Sequence, residues 1–100
     1  MKNYEDMSDF EINCRVHAEI MQISGLNSFK AKDYCNNPED AWPIIDENNI
    51  TIINDHPSMR LAVNDAAEYY NGSSGIIASS DENGFRAAMI VFLKMNEDKL

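Results

Sequence analysis

The run Arg86-Ala87-Ala88-Met89-Ile90-Val91-Phe92-Leu93 constrains the fold more than any other stretch. Phe85, Ala88, Met89, Phe92 and Met95 fall on one stripe at helical spacing, and Ile90, Val91 and Leu93 extend the apolar surface around most of the circumference. A helix of this kind is buried on several sides, or presents its second face to another chain. Asp81-Glu82-Asn83 supplies its cap, and it is predicted to run to about Asn96. Arg86 is the lone charge that opens it, close to the positive end of the dipole, where a cation is disfavoured. It therefore requires an acidic partner, Asp81, Glu82 or Asp40. Such a pair would hold the last helix on the sheet.

Two further helices have clear start signals. Ser8 and Glu11 form a capping box, with Met7 and Ile12 at the hydrophobic-staple positions. Asp9 and Glu11 suit the positive end of the dipole, and a helix is predicted from Asp9 to about Met21. Phe10, Ile12, Cys14, Val16, Ala18 and Ile20 also alternate as a strand would, but the cap favours the helix. Its apolar residues then fall on two faces, Phe10/Cys14/Ala18/Met21 and Ile12/Val16/Ile20, one of which can serve a neighbour or a partner. Ser24-Gly25 ends it. Residues 26–34 read two ways, a short strand around 28–31 being one of them. Asn37 is an N-cap, Pro38 stands at the first helical position, and Glu39 and Asp40 fill the first turn. This helix is predicted to reach about Glu47, with Trp42 and Ile45 as core anchors. Pro43 removes one backbone bond, so the helix is kinked or short.

The middle of the chain reads as strands. Residues 50–53 are β-branched and read as one strand, 59–63 read as a second, and the turn-rich Asn54-Asp55-His56-Pro57-Ser58 separates them. Asn64-Asp65 turns into 66–70, Asn71-Gly72-Ser73-Ser74-Gly75 forms a hairpin loop, and 75–79 returns as a strand. Tyr69 and Tyr70 are adjacent, so in a strand they would point to opposite faces and at most one would enter the core. The prediction is one α+β domain over 1–100, with a small antiparallel sheet of three to four strands packed with about three helices.

Seventeen acids face eight bases, for a formal charge of −9. The bases are scattered, which disfavours direct binding to nucleic acid or to an anionic membrane. A protein partner with a basic surface becomes easier to accommodate. Solubility alone also accounts for an acidic surface. The acids are spread along the chain, which gives no support to mimicry of a nucleic acid. Two cysteines are too few for a disulfide framework, the start is polar and acidic, and the apolar runs fall far short of a bilayer span of roughly 20 residues. A reducing cytoplasm with free thiols is expected.

No motif assigns catalytic, cofactor-binding or metal-ligating residues. Cys35 would need His17 or His56 as a base to act as a nucleophile, and a small buried thiol is the simpler reading. Cys14-x-x-His17 can present two ligands on one helical face, with Cys35 as a third, but nothing local completes a zinc site. The carboxylate pairs Glu39-Asp40, Asp46-Glu47 and Asp81-Glu82 sit at helix ends, where solvent and dipole explain them.

Three blocks carry a family resemblance. They are Met7-Ser8-Asp9-Phe10-Glu11-Ile12-Asn13, residues 33–53 and residues 86–95. They resemble the small NinX-like proteins of lambdoid phages and prophages, a family with no assigned biochemical function. The resemblance implies a small phage protein in the host cytoplasm, with a layered α/β/α fold similar to the phage ABA sandwich. It carries over no catalytic residues. Two departures stand out. Asn83-Gly84 occupies a place where the family usually shows Asn-Pro, and the segment before Asp33 is short.

The expected function is non-enzymatic binding to a host or phage protein, such as a nucleic-acid-binding defence complex or a nuclease. Glu39, Asp40, Asp46, Glu47, Tyr69 and Tyr70 are the candidate contact residues, and Trp42, Pro43, Arg86 and Phe92 are assigned to the structure. One alternative is a homo-oligomer built on the spare apolar face of helix 85–96 or 9–21. Another is a small ligand-binding protein or enzyme with an unrecognised pocket.

Overall fold

The structure, a computed structural model, describes residues 3–21, 31–72 and 75–97, without the side chains of Asp55 and His56. A short 3₁₀ turn at Tyr4–Asp6 precedes helix α1 (Asp9–Met21). Helix α2 (Pro38–Glu47), strands β1 (Thr51–His56) and β2 (Met59–Val63), helix α3 (Ala66–Tyr70), strand β3 (Ala78–Asp81) and helix α4 (Gly84–Glu97) follow. The strands form an antiparallel sheet in the order β1-β2-β3. The fold is α+β, as the element order predicts.

Helix α4 organises the rest. Every residue from Ala87 to Leu93 is buried. All three strands pack on α4, and so do α1 and α2. Its apolar circumference is thus covered within the chain. This overturns the expectation that helix 85–96 keeps a spare face for a second copy. On α1, Ile12 and Val16 enter the core while Phe10, Ile20 and Met21 stay exposed. Its cap is formed as predicted, with Ser8 Oγ accepting from the Glu11 N–H at 3.1 Å.

On the sheet, Ile52 stands opposite Ala62, and Ala62 opposite Ser79. Ile52 and Ala62 join the core around α4. Ser79 is buried, and its hydroxyl donates to Glu5 Oε2 at 3.0 Å. The same carboxylate oxygen accepts from Lys94 Nζ at 2.6 Å, and Lys94 also donates to the Ala78 carbonyl at 3.1 Å. Burial pushes the Glu5 carboxyl up. The hydrogen bonds from Lys94 and Ser79 outweigh burial and hold it below the ordinary range.

Three expectations are corrected. Residues 66–70 form α3, not the arm of a hairpin. Asp65 caps this helix by accepting from the Glu68 N–H at 3.1 Å, and Ala66 and Ala67 favour the turn. Strand β3 starts at Ala78, not Gly75, because Asn64 binds Ile77 from both sides. The Asn64 N–H donates to the Ile77 carbonyl at 3.0 Å, and Asn64 Oδ1 accepts from the Ile77 N–H at 2.9 Å. The Asn64 side chain thereby takes the place of one backbone acceptor of the ladder. Trp42 is not a core anchor. Ala41, Ile44 and Ile45 form the buried stripe of α2, and Trp42 lies off it, 46% exposed. Ile45 is buried as predicted, and α2 runs through Pro43 yet stays short. Residues 28–30, where a strand is one reading of the sequence, lie outside the described residues, and Ala31 is in no strand.

Candidate functional site

The first turn of α2 is set by Asn37, whose side chain accepts from the Glu39 N–H at 3.1 Å. With Ala41, Ile44 and Ile45 turned inward, the outer face carries Glu39, Trp42, Pro43 and Asp46, all exposed. Glu39 lies three residues before Trp42 and Asp46 four after, so both acids are helical neighbours of the indole. The indole meets the Phe85 ring edge-on, with centroids 5.6 Å apart and planes at 84°. Beside this pair opens a groove of about 400 Å³. Trp42, Ile52 and Phe85 give it apolar walls, and Asn54, Arg60 and Glu82 add polar lining.

The groove rests on a fixed base. A Cβ at Gly84 would lie 3.0 Å from Ile52 Cγ2, so α4 begins hard against β1. Asn83 Oδ1 caps α4, accepting from the N–H groups of Phe85 at 2.9 Å and Arg86 at 3.3 Å. Its Nδ2 donates to the Cys35 carbonyl at 2.6 Å and to Asn36 Oδ1 at 3.0 Å. The start of α4 is thereby tied to the loop that leads into α2.

Behind this tie lies Arg86, whose side chain is 12% exposed. Nε donates to Asp81 at 3.0 Å, Nη1 to Asp9 at 2.6 Å, and Nη2 to the carbonyls of Glu5 at 3.2 Å and Met7 at 2.6 Å. Burial lowers the guanidinium pKa, and the bonds to Asp9 and Asp81 outweigh burial and raise it. Of the partners expected from sequence, Asp81 is correct, while Glu82 and Asp40 give way to Asp9. Arg86 therefore fastens the start of α1 to α4 as well as to the sheet. Asn36 Nδ2 donates to Asp9 and Asp33, both at 3.1 Å, and Asn13 bridges Asp33 at 2.9 Å and the Cys35 N–H at 3.0 Å. A second depression, of about 380 Å³, adjoins these groups and exposed Phe10. Of its polar lining, Asp9, Asn13, Asp33 and Asn36 are already bonded to one another, and Lys32 adds an exposed cation.

A family model described as Bacteriophage P22, NinX matches residues 3–96. The chain belongs to the NinX family. Comparisons with curated proteins and with solved structures found no match. The family places the chain among phage proteins, and the blocks that resemble NinX supply Asp9, Asn13, Asp33, Cys35 and Arg86 to the network behind the groove. At Gly84 a side chain could be accommodated only if Ile52 gave way by a few tenths of an ångström.

The remaining sequence candidates distribute as follows. Cys35 is buried, and burial, with the Asp9 charge, pushes its thiol up to about 12. Burial thus disfavours the thiolate, the form in which a cysteine is nucleophilic. Burial also raises Cys14. His17 Nδ1 lies 3.2 Å from the Tyr34 hydroxyl, and the side chain of His56 is outside the described residues. Among the described residues, no three His, Cys, Asp or Glu side chains are grouped as metal ligands, and no helix is long and apolar enough to cross a membrane. Glu47 is exposed, and Asp40 is half-buried, where its charge adds to burial in raising the Tyr34 pKa. Tyr69 and Tyr70 stand on α3 in an edge contact at 5.2 Å, Tyr70 being 71% exposed. Helix α3 is not among the elements packed closely on α2. Phe92 is buried in the core. Local sequence gave no sign that Ile52, Asn54, Arg60 and Phe85 would converge on Trp42.

Proposed function

We propose that the chain is a non-enzymatic binding module that modulates a host or phage protein bearing a basic surface, and that the outer face of α2 makes the contact. The exposed indole of Trp42 between Glu39 and Asp46, at the mouth of a groove, carries this reading. An apolar centre within a charged surround is the usual anatomy of a protein interface. A nucleic-acid-binding defence complex or nuclease offers a surface of the required sign. The test reverses Glu39, Asp40, Asp46 and Glu47 to lysine and compares capture from a bacterial host lysate at low and high salt. One stoichiometric protein, lost as salt rises and lost in the variant, fits the reading. Capture unaffected by the reversal removes α2 from consideration. Self-association has one observation in its favour, the exposed Phe10, Ile20 and Met21 of α1. Sedimentation over a concentration series decides it, since a strict monomer excludes that reading.

A further inference from the structure

We infer that the groove beside Trp42 takes a bulky aliphatic side chain from a partner segment in which that residue is flanked by lysines or arginines. This rests on the reading above and specifies the chemistry of the partner. The apolar walls are already formed in the chain without a ligand. Trp42 is held edge-on against Phe85, and Ile52 is pinned under the start of α4 at Gly84. A groove of about 400 Å³ with indole, phenyl and sec-butyl walls gains most from a leucine- or methionine-sized side chain, which removes the exposed indole face from water. The surrounding charge selects the flanks. Glu82 lines the groove, Glu39 and Asp46 border Trp42 on α2, and Arg60 is the cation among the lining residues. The balance is negative, so basic neighbours of the anchor are attracted and acidic ones repelled. A purely electrostatic surface would bind lysine-rich segments without regard to the anchor. The groove adds that requirement.

Trp42 is the only tryptophan in the chain, so its fluorescence reports the site directly. The probe is a synthetic peptide of leucines spaced among lysines. One control has serine in place of leucine at the same length and charge, and a second has glutamate in place of lysine. The leucine–lysine peptide is expected to shift the emission to shorter wavelength in a saturable manner. It should bind at least about tenfold more tightly than the serine–lysine control, a difference of about 1.4 kcal/mol. Asn54→Lys, at an exposed position on the groove, should weaken it, as should Phe85→Ala if that variant remains folded by circular dichroism. Equal binding of the two lysine peptides, both lost on reversal of the α2 acids, overturns the groove inference and leaves the acidic-face reading standing. Equal binding of the leucine–glutamate peptide overturns the charge selection. No binding of any peptide overturns both readings.

Discussion

Replacing Arg86 with methionine keeps most of the stem packing and removes the guanidinium fork. Four acceptors lose their donor: Asp81, Asp9 and the carbonyls of Glu5 and Met7. They do not lose equally. The Asp9 side chain is 45% exposed and rehydrates, so solvent screening reduces its contribution to about 0.5 kcal/mol. Asp81, at 28%, is more enclosed and should contribute about 1 kcal/mol, with a similar loss of about 1 kcal/mol at the part-buried Met7 carbonyl. The Glu5 carbonyl is exposed and contributes little. The expected destabilisation is therefore about 2.5 kcal/mol, against a total stability of about 5–15 kcal/mol for a domain of this kind. At about 4–8 °C per kcal/mol, the melting temperature should fall by about 10–20 °C. Urea unfolding followed by far-ultraviolet circular dichroism measures this as a lower midpoint at unchanged slope. Arg86→Lys should fall between the two, because an ammonium keeps the charge but cannot reach both carboxylates and a carbonyl at once. An Arg86→Met midpoint equal to that of the unmodified chain would refute the reasoning, and so would full stability of Arg86→Lys, which would show that the fork geometry is irrelevant.

Three further outcomes are expected. Cys35 and Cys14 should resist alkylation at about pH 8 in the folded protein and react once it is unfolded, since burial disfavours the thiolate; labelling at the rate of a free thiol would contradict their environment. Gly84→Ala should be more destabilising with Ile52 present than in an Ile52→Ala background, with a coupling of about 0.5–1 kcal/mol in a double-mutant cycle; additive effects would mean that the close approach is unstrained. The folded-state pKa of Glu5 lies below its ordinary value of 4.5, so its contribution is fully present above that value and is lost as the pH falls through the lower folded value. The stability difference between the unmodified chain and Glu5→Gln should therefore be larger at about pH 6 than at about pH 3, and a difference independent of pH would argue against the Lys94 pairing.

The elements legible in the sequence are those specified by their own neighbours. Ser8 and Asn37 announce their helices through capping bonds that span two or three residues, and α4 announces its burial through composition alone. Asp65-Ala66-Ala67-Glu68 carried the same kind of signal and was outweighed by the hairpin pattern around Gly72. Arg86 shows the limit from the other side. Its need for an acid follows from its place at a positive helix end, but Asp9 is 77 residues away and only the tertiary fold selects it over Glu82. Trp42 fails for a related reason. Its size argues for burial, while its position just off the Ala41/Ile44/Ile45 stripe decides against it, and that stripe is defined by what packs on it.

The position of α4 also bears on how the protein is made. Every layer that α4 covers precedes it in the sequence, so a nascent chain emerges with a sheet and two helices that lack their shared packing surface. The clamp between Arg86 and residues 5–9 closes only after Arg86 has left the ribosome. Until then the apolar faces of α1, α2 and the sheet are open to solvent and to chaperones, and at about 5–20 residues per second this interval lasts for seconds. A chain truncated before Gly84 would lack the element on which the others pack, and would expose the surfaces that α4 normally covers.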